Sequence, residues 1–182
     1  MPRRFIAYAA TSADGFLARP DGDYAWLEQA AGAPEAYGAA EFFESIDTVV
    51  YGRKTWEIAA AAGQAAVPGM RNYLVSSTVT DAPGFEIVRG DVPAFARRLR
   101  AESGKDVWLM GGGELYAAFL DAGELDEFYL HVVPILIGEG IPLVAPRHRT
   151  VLLALAETRA FPDGVVRMRW TVRRSEGERA AR

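Results

Sequence analysis

The feature that most constrains this chain is an alternation that stops. Short apolar runs of strand length take turns with segments whose apolar residues recur at helical spacing, and then the helices cease. Residues 4–11 (RFIAYAAT), 47–51 (DTVVY), 72–76 (NYLVS), 85–89 and 106–110 read as strands. Between them, residues 24–31, 35–45, 53–62 and 92–102 read as helices, the last with Val92, Phe95, Ala96 and Leu99 on one face. A further helix runs to Leu120. Beyond it, residues 125–133 and 151–161 read as strands, and residues 164–173 (GVVRMRWTVR) alternate apolar with basic. That last pattern predicts a strand with one wet face. Strand–helix alternation followed by strands alone calls for a mostly parallel sheet, helices on both faces, and an antiparallel C-terminal edge.

The chain of 182 residues is half hydrophobic, enough for one core, so a single domain over residues 1–174 is expected with a charged, frayed tail at 175–182. A net charge of −4 argues against a nucleic-acid partner. With no cysteine there is no thiolate chemistry and no cysteine-bound zinc, and the separated His131 and His148 suggest no metal site. No apolar run reaches membrane-spanning length, and a cytoplasmic protein is expected. His131, in mid-strand, is expected to be structural.

Three strand ends carry chemistry suited to anions. VWLMGGGELYAAFL places Gly111, Gly112 and Gly113 between a strand and a helix. It fails the dinucleotide fingerprint, because Tyr116 stands at the third glycine position. Its physics survives: bare N–H groups and a helix dipole suit a pyrophosphate, though a tight turn or close helix packing would also call for glycine. YGRKTWE sets Gly52 before Arg53, Lys54 and Thr55, two cations and a hydroxyl at a helix start. LVSST supplies the hydroxyls of Ser76 and Ser77, in what would otherwise be a commonplace loop. A pyrophosphate site beside a separate phosphate site is what NADPH requires.

The segments AATSADGFLA, VVYGRKTWE, YLVSST and WLMGGGELYAAFL, in that order, resemble the dihydrofolate reductase fold. LDEFYLHVVPILIGEGIPLV and ETRAFPDGVVRMRW are similar to the branch that includes the C-terminal reductase domain of the bifunctional riboflavin biosynthesis protein. The resemblance implies a three-layer α/β/α domain with a sheet of about eight strands and an antiparallel C-terminal hairpin. It implies NADPH across the strand ends. Gly52, Arg53, Lys54 and Thr55 would take the adenosine side with Ser76 and Ser77. Gly111, Gly112, Gly113, Glu114 and Leu115 would take the pyrophosphate, and Tyr116 would lie near the nicotinamide ribose. Residues 9–12 on the first strand, Ala10 and Ser12 among them, would line the nicotinamide and substrate pocket. Trp26, Trp56 and Tyr37 could stack on a flat ring, although aromatics at helical spacing also serve as core.

Two carboxylates compete for a catalytic role. Asp14 lies in SADG beside the expected pocket, where an Asp-Gly pair equally makes a turn. Asp23 opens DYAWLEQ, where it either binds a substrate ring or caps a helix. The proline-tryptophan segment of dihydrofolate reductases is missing, and residues 19–26 do not reproduce the riboflavin enzyme's substrate segment cleanly. The expected function is an NADPH-dependent reductase of a small heterocyclic or ribityl-phosphate substrate, closer to a 5-amino-6-(5-phosphoribosylamino)uracil reductase than to one acting on dihydrofolate. The competing reading is a non-catalytic protein holding a nucleotide or small ring. A homodimer is expected, through the strand at 165–172 and the apolar run PILIGEGIPLV.

Overall fold

The structure, a computed structural model, describes residues 2–33, 37–63 and 66–173. In chain order the elements are β1 Phe5–Ser12, β2 Phe16–Ala18, α1 Ala25–Ala30, α2 Ala39–Ser45, β3 Ile46–Gly52, α3 Arg53–Ala61, β4 Arg71–Val75 and β5 Glu86–Val88. Then follow α4 Val92–Ala101, β6 Asp106–Gly111, α5 Gly113–Asp121, β7 Glu127–Val133, β8 Ile141–Pro142, β9 Leu153–Ala160 and β10 Val166–Val172. The tail expected at 175–182 and the helix start expected at 35 lie outside the described residues.

Eight strands form one sheet in the order β5-β4-β3-β6-β1-β7-β10-β9. The strands from β5 across to β7 are parallel, whereas β10 runs antiparallel to both β7 and β9. The anticipated parallel sheet with an antiparallel end is therefore present. One face presents Phe5, Ala7, Val50, Leu109, Phe128 and Leu130 to Phe95 and Leu99 of α4 and to Leu115 and Phe119 of α5. The other presents Ile6, Val49, Tyr51 and Leu74 to Phe42 of α2, with Trp56 and Ala59 of α3 packed alongside. Helix α4 starts where its sequence dictates: Asp91 accepts the Ala94 N–H at 2.9 Å, and Arg98 and Arg100 occupy the last turn, where the dipole favours cations.

The structure departs from the sequence reading at two points. Strands β2 and β8 were not anticipated; at three and two residues they are too short to show periodicity, and they exist because each pairs with the other. The basic face of β10 is not wet. Arg167 is 7% exposed, donates to the Tyr37 carbonyl at 3.0 Å, pairs with Glu157 and lies over the Tyr129 ring. The sheet ends, as expected, in the antiparallel C-terminal pair, with β9 outermost and exposed along nearly its whole length.

Candidate active site

Because β1 and β3 through β7 run the same way, their carboxyl ends share one rim, where ligands bind open α/β sheets. Strands β3 and β6 are neighbours, and each passes directly into a helix. The N-termini of α3 and α5 consequently lie side by side. A Cβ on Gly52 would sit 3.0 Å from the Gly111 carbonyl oxygen and 3.4 Å from the Gly112 nitrogen. One on Gly112 would sit 3.5 Å from Thr55 Oγ1. Neither helix start carries a side-chain cap, and the first turn of α3 has no acid. The leading N–H groups of a helix have no intrahelical partner, so two sets of donors and two positive dipole ends converge here. Arg53 and Lys54 are exposed at this rim, with Arg53 also paired to Glu57 at 2.6 Å.

The three glycines answer to different demands. Gly111 has φ +111°, and a Cβ there would lie 3.0 Å from Tyr116 Oη. A Cβ on Gly113 would come within 2.5 Å of the Pro142 carbonyl oxygen. The chain's own packing thus accounts for both. Gly112 faces only ordinary contact, which leaves it, with Gly52, as the bare backbone available to a ligand.

The residues after the glycines divide as well. The N–H groups of Leu115 and Tyr116 both donate to Gly112 O, and their side chains lie in the core. Tyr116 is wholly buried, its hydroxyl has no partner among the described residues, and burial pushes its pKa up. It lies beneath the glycines, its ring buried in the core and not presented at the rim. Glu114 points outward to Arg147 Nη2 at 2.8 Å.

At the end of β4, Ser76 is buried and its Oγ accepts from the N–H groups of Thr78 and Val79, at 3.2 and 3.1 Å. Its hydroxyl is occupied in shaping the turn. Ser77 is exposed. Arg89, which the sequence gave no reason to single out, donates to the carbonyls of Ser77 and Val79 at 3.1 and 2.6 Å. It braces this loop and adds a third exposed cation at the rim; its position just past β5 was the available signal.

Both candidate carboxylates are engaged with backbone. Asp14 accepts from Gly138 N at 2.8 Å and from Ile137 N at 3.2 Å. The Ser12 hydroxyl, ahead of those amides, holds its pKa below the usual carboxylate value. An acid so stabilised as the anion is a poor proton donor at neutral pH. Asp23 is half exposed, accepts from Ala25 N at 3.0 Å and lies 3.9 Å from Arg19 Nε. Helix α1 has Tyr24 at its N-cap and no side-chain cap, so Asp23 shapes the turn ahead of the helix and the expected cap is not formed. Ser12 is buried, its Oγ accepting from Phe16 N at 3.0 Å. Trp26 is 3% exposed among Tyr37, Val133, Ile137 and Val165, and Ala10 packs against the same group. His131, opposite Ala10 in the β1–β7 register, is buried, and desolvation drops its pKa to about 4. Among the described residues no three His, Asp or Glu side chains gather as a metal site, and no helix is long and apolar enough to cross a membrane.

The architecture is that of a dihydrofolate reductase-like fold. The dihydrofolate reductase of Enterococcus faecalis, solved with NADP(H), superposes with a TM-score of 0.67 at 13% identity, over 94% of this chain and 97% of that one. Within that fold the chain belongs to the RibD C-terminal domain family, whose model matches residues 3–167. It is 31% identical over 168 residues to the uncharacterized protein YwjB of Bacillus subtilis (strain 168), spanning 91% of this chain and 96% of YwjB. The structure of a putative riboflavin biosynthesis protein from Shewanella sp. PV-4 superposes with a TM-score of 0.83 at 23% identity, over 96% of this chain and all of that one.

Proposed function

We propose that this protein is an NADPH-dependent reductase that delivers hydride to a small heterocyclic or ribityl-phosphate substrate, of the 5-amino-6-(5-phosphoribosylamino)uracil kind rather than dihydrofolate. The observation that carries the reading is the convergence of two uncapped helix N-termini across Gly52 and Gly112, where any side chain would fill the gap. The donor set fits a dinucleotide: Gly112 and the first turn of α5 would hold the pyrophosphate, and Arg53, Lys54, Thr55 and Ser77 the 2′-phosphate. A bound nicotinamide would supply the hydride. The chain's residues bind and orient it, and the packed sheet excludes water from one side.

The engagement of Asp14 and Asp23 with backbone amides favours a second reading, in which the same scaffold binds a nucleotide without turnover. One series separates the two. NADPH and NADH are titrated against tryptophan fluorescence, with wild type and Arg53→Ala, and NADPH oxidation is then followed with pyrimidine and pterin substrates. Preference for NADPH that Arg53→Ala removes supports the cofactor site, and oxidation on adding substrate supports the enzyme. Binding without oxidation supports the second reading, and failure to bind either nucleotide sinks both.

Self-association belongs to the same reading. The edge strand β9 exposes Leu153 and Leu155 beside an apolar groove of about 290 Å³ lined by Leu120, Phe128, Leu143 and Trp170. Glu157 and Arg159 stand two apart on β9, so antiparallel pairing of two copies about Thr158 would set each Glu157 opposite the other copy's Arg159. We therefore propose β9, rather than β10, as the strand through which two copies would pair.

A further inference from the structure

Among the described residues, two polar atoms on one side of the sheet are buried without a hydrogen-bond partner: His131 Nε2 and Trp26 Nε1. Leaving such a group unpaired costs roughly 1–3 kcal/mol, so each calls for an explanation. They share surroundings. His131 lies opposite Ala10 in the register, its ring centroid 5.6 Å from that of Tyr37. Trp26 packs in the cluster that contains Tyr37, with Ala10 against it. Two other atoms in the same condition, Arg3 Nη1 and Tyr116 Oη, lie elsewhere, beside Asp47 and beneath the glycines.

The charge of this neighbourhood is defined. The rings of Tyr8, Tyr37 and Tyr129 surround His131 at 5.2 to 5.9 Å, and the cation that influences it is Arg167 of β10. The neighbouring acids are spoken for: Glu157 pairs with Arg167, and Asp163 accepts from the Tyr37 hydroxyl. Asp14 is held by the N–H groups of Ile137 and Gly138, and Asp23 by that of Ala25. Burial, with Arg167 adding to it, keeps the imidazole neutral. The carbonyls of Tyr37 and Ala9 bond to it. With Nε2 unpartnered, that bonding falls to Nδ1–H, which leaves Nε2 an acceptor. The indole N–H of Trp26 is a donor only.

We infer that Trp26 and His131 read the substrate ring of the reductase proposed above, and that the edge they read is a neutral –CO–NH– amide edge, as in a uracil. Trp26 Nε1–H donates to the ring carbonyl, and His131 Nε2 accepts from the adjacent ring N–H. A protonated 2,4-diaminopyrimidine edge instead offers donors and positive charge, where Trp26 is itself a donor and Arg167 a cation. Both atoms are shielded from solvent, so a ring reaches them only when the side chains of α1 shift.

The test uses the full chain and two probes, 5-aminouracil and 2,4-diaminopyrimidine, titrated at pH 6 with and without saturating NADPH. The readout is the nitrogen–proton signals of the Trp26 indole and the His131 ring, assigned with Trp26→Phe and His131→Phe. The uracil probe should move both signals and bind at least about tenfold tighter than the diaminopyrimidine, which is the scale of one lost hydrogen bond to a buried group. His131→Phe should weaken the uracil probe by about tenfold and leave NADPH affinity unchanged, and His131→Gln, which restores an acceptor, should recover part of the loss. Tighter binding of the diaminopyrimidine, unmoved signals, or unchanged uracil affinity in a folded His131→Phe would overturn the inference. Failure of NADPH to bind overturns the reductase reading instead, and the uracil titration without cofactor still decides this one.

Discussion

Gly52 lies against Gly111 so closely that a single methyl group on the first would stand 3.0 Å from the carbonyl oxygen of the second. The two residues end adjacent parallel strands and start adjacent helices, so their spacing sets the width of the proposed phosphate cleft. Gly52→Ala should therefore lower NADPH affinity by about tenfold or more and lower stability by about 1 kcal/mol, since the φ of −80° at Gly52 suits alanine but the new Cβ meets backbone atoms. Isothermal titration beside a urea melt measures both. A fully stable variant with wild-type affinity would mean that no ligand uses this backbone.

Gly113→Ala makes the opposite prediction. The new Cβ would stand 2.5 Å from the Pro142 carbonyl and 3.1 Å from the Ala145 nitrogen, both backbone atoms. Overpacking of this kind costs about 1–3 kcal/mol. The urea midpoint should fall, and it should fall equally with and without NADPH.

Asp23→Ala should shift stability by no more than about 0.5 kcal/mol, since the bond to Ala25 N is an exposed turn contact. The proposed turnover should survive at half the wild-type rate or more. A hundredfold fall in kcat with unchanged stability would return Asp23 to the chemistry.

His131 gives the protein an acid sensitivity. Its folded pKa of about 4 lies below the ordinary value near 6.5, so the unfolded chain takes up a proton that the folded one refuses. The associated stability is complete above pH 6.5 and is lost as pH falls toward 4, amounting to about 2 kcal/mol by pH 5. Arg167 faces the ring as a fixed cation, and burial raises the pKa of Tyr37 and Tyr129, so neither ionises in this window. Urea melts at pH 7 and pH 5 should differ by that amount in wild type and by much less in His131→Phe.

Light scattering on dilution tests the edge strand. Leu155→Lys should leave a monomer if β9 forms the dimer, and an unchanged mass would discard that surface.

The sheet was readable in the sequence because parallel strands buried on both faces are continuous apolar runs, as in DTVVY, and because their helices carry clear stripes. Burial was harder to read, since it depends on what lies across the sheet. Arg167 looked solvated because its partners, Glu157 and the Tyr37 carbonyl, are 10 and 130 residues away. Tyr116 looked available to a ligand because it follows the glycines directly, yet the turn of the helix directs its ring inward. The glycine triplet was legible as a special place but not in its parts, because the collision that keeps Gly113 bare comes from Pro142, in a segment that gave no strand signal.

The central position of β1 has a consequence for synthesis. The first strand made, it pairs with β6 and β7, Phe5 with Val107 and Ile6 with Glu127. As the chain leaves the ribosome, an apolar strand emerges about a hundred residues ahead of its nearest partner, and must be kept from other chains until that partner arrives. Nascent chains halted before residue 106 should remain protease-sensitive throughout, and the domain should close late, in one step, once β7 is free of the exit tunnel.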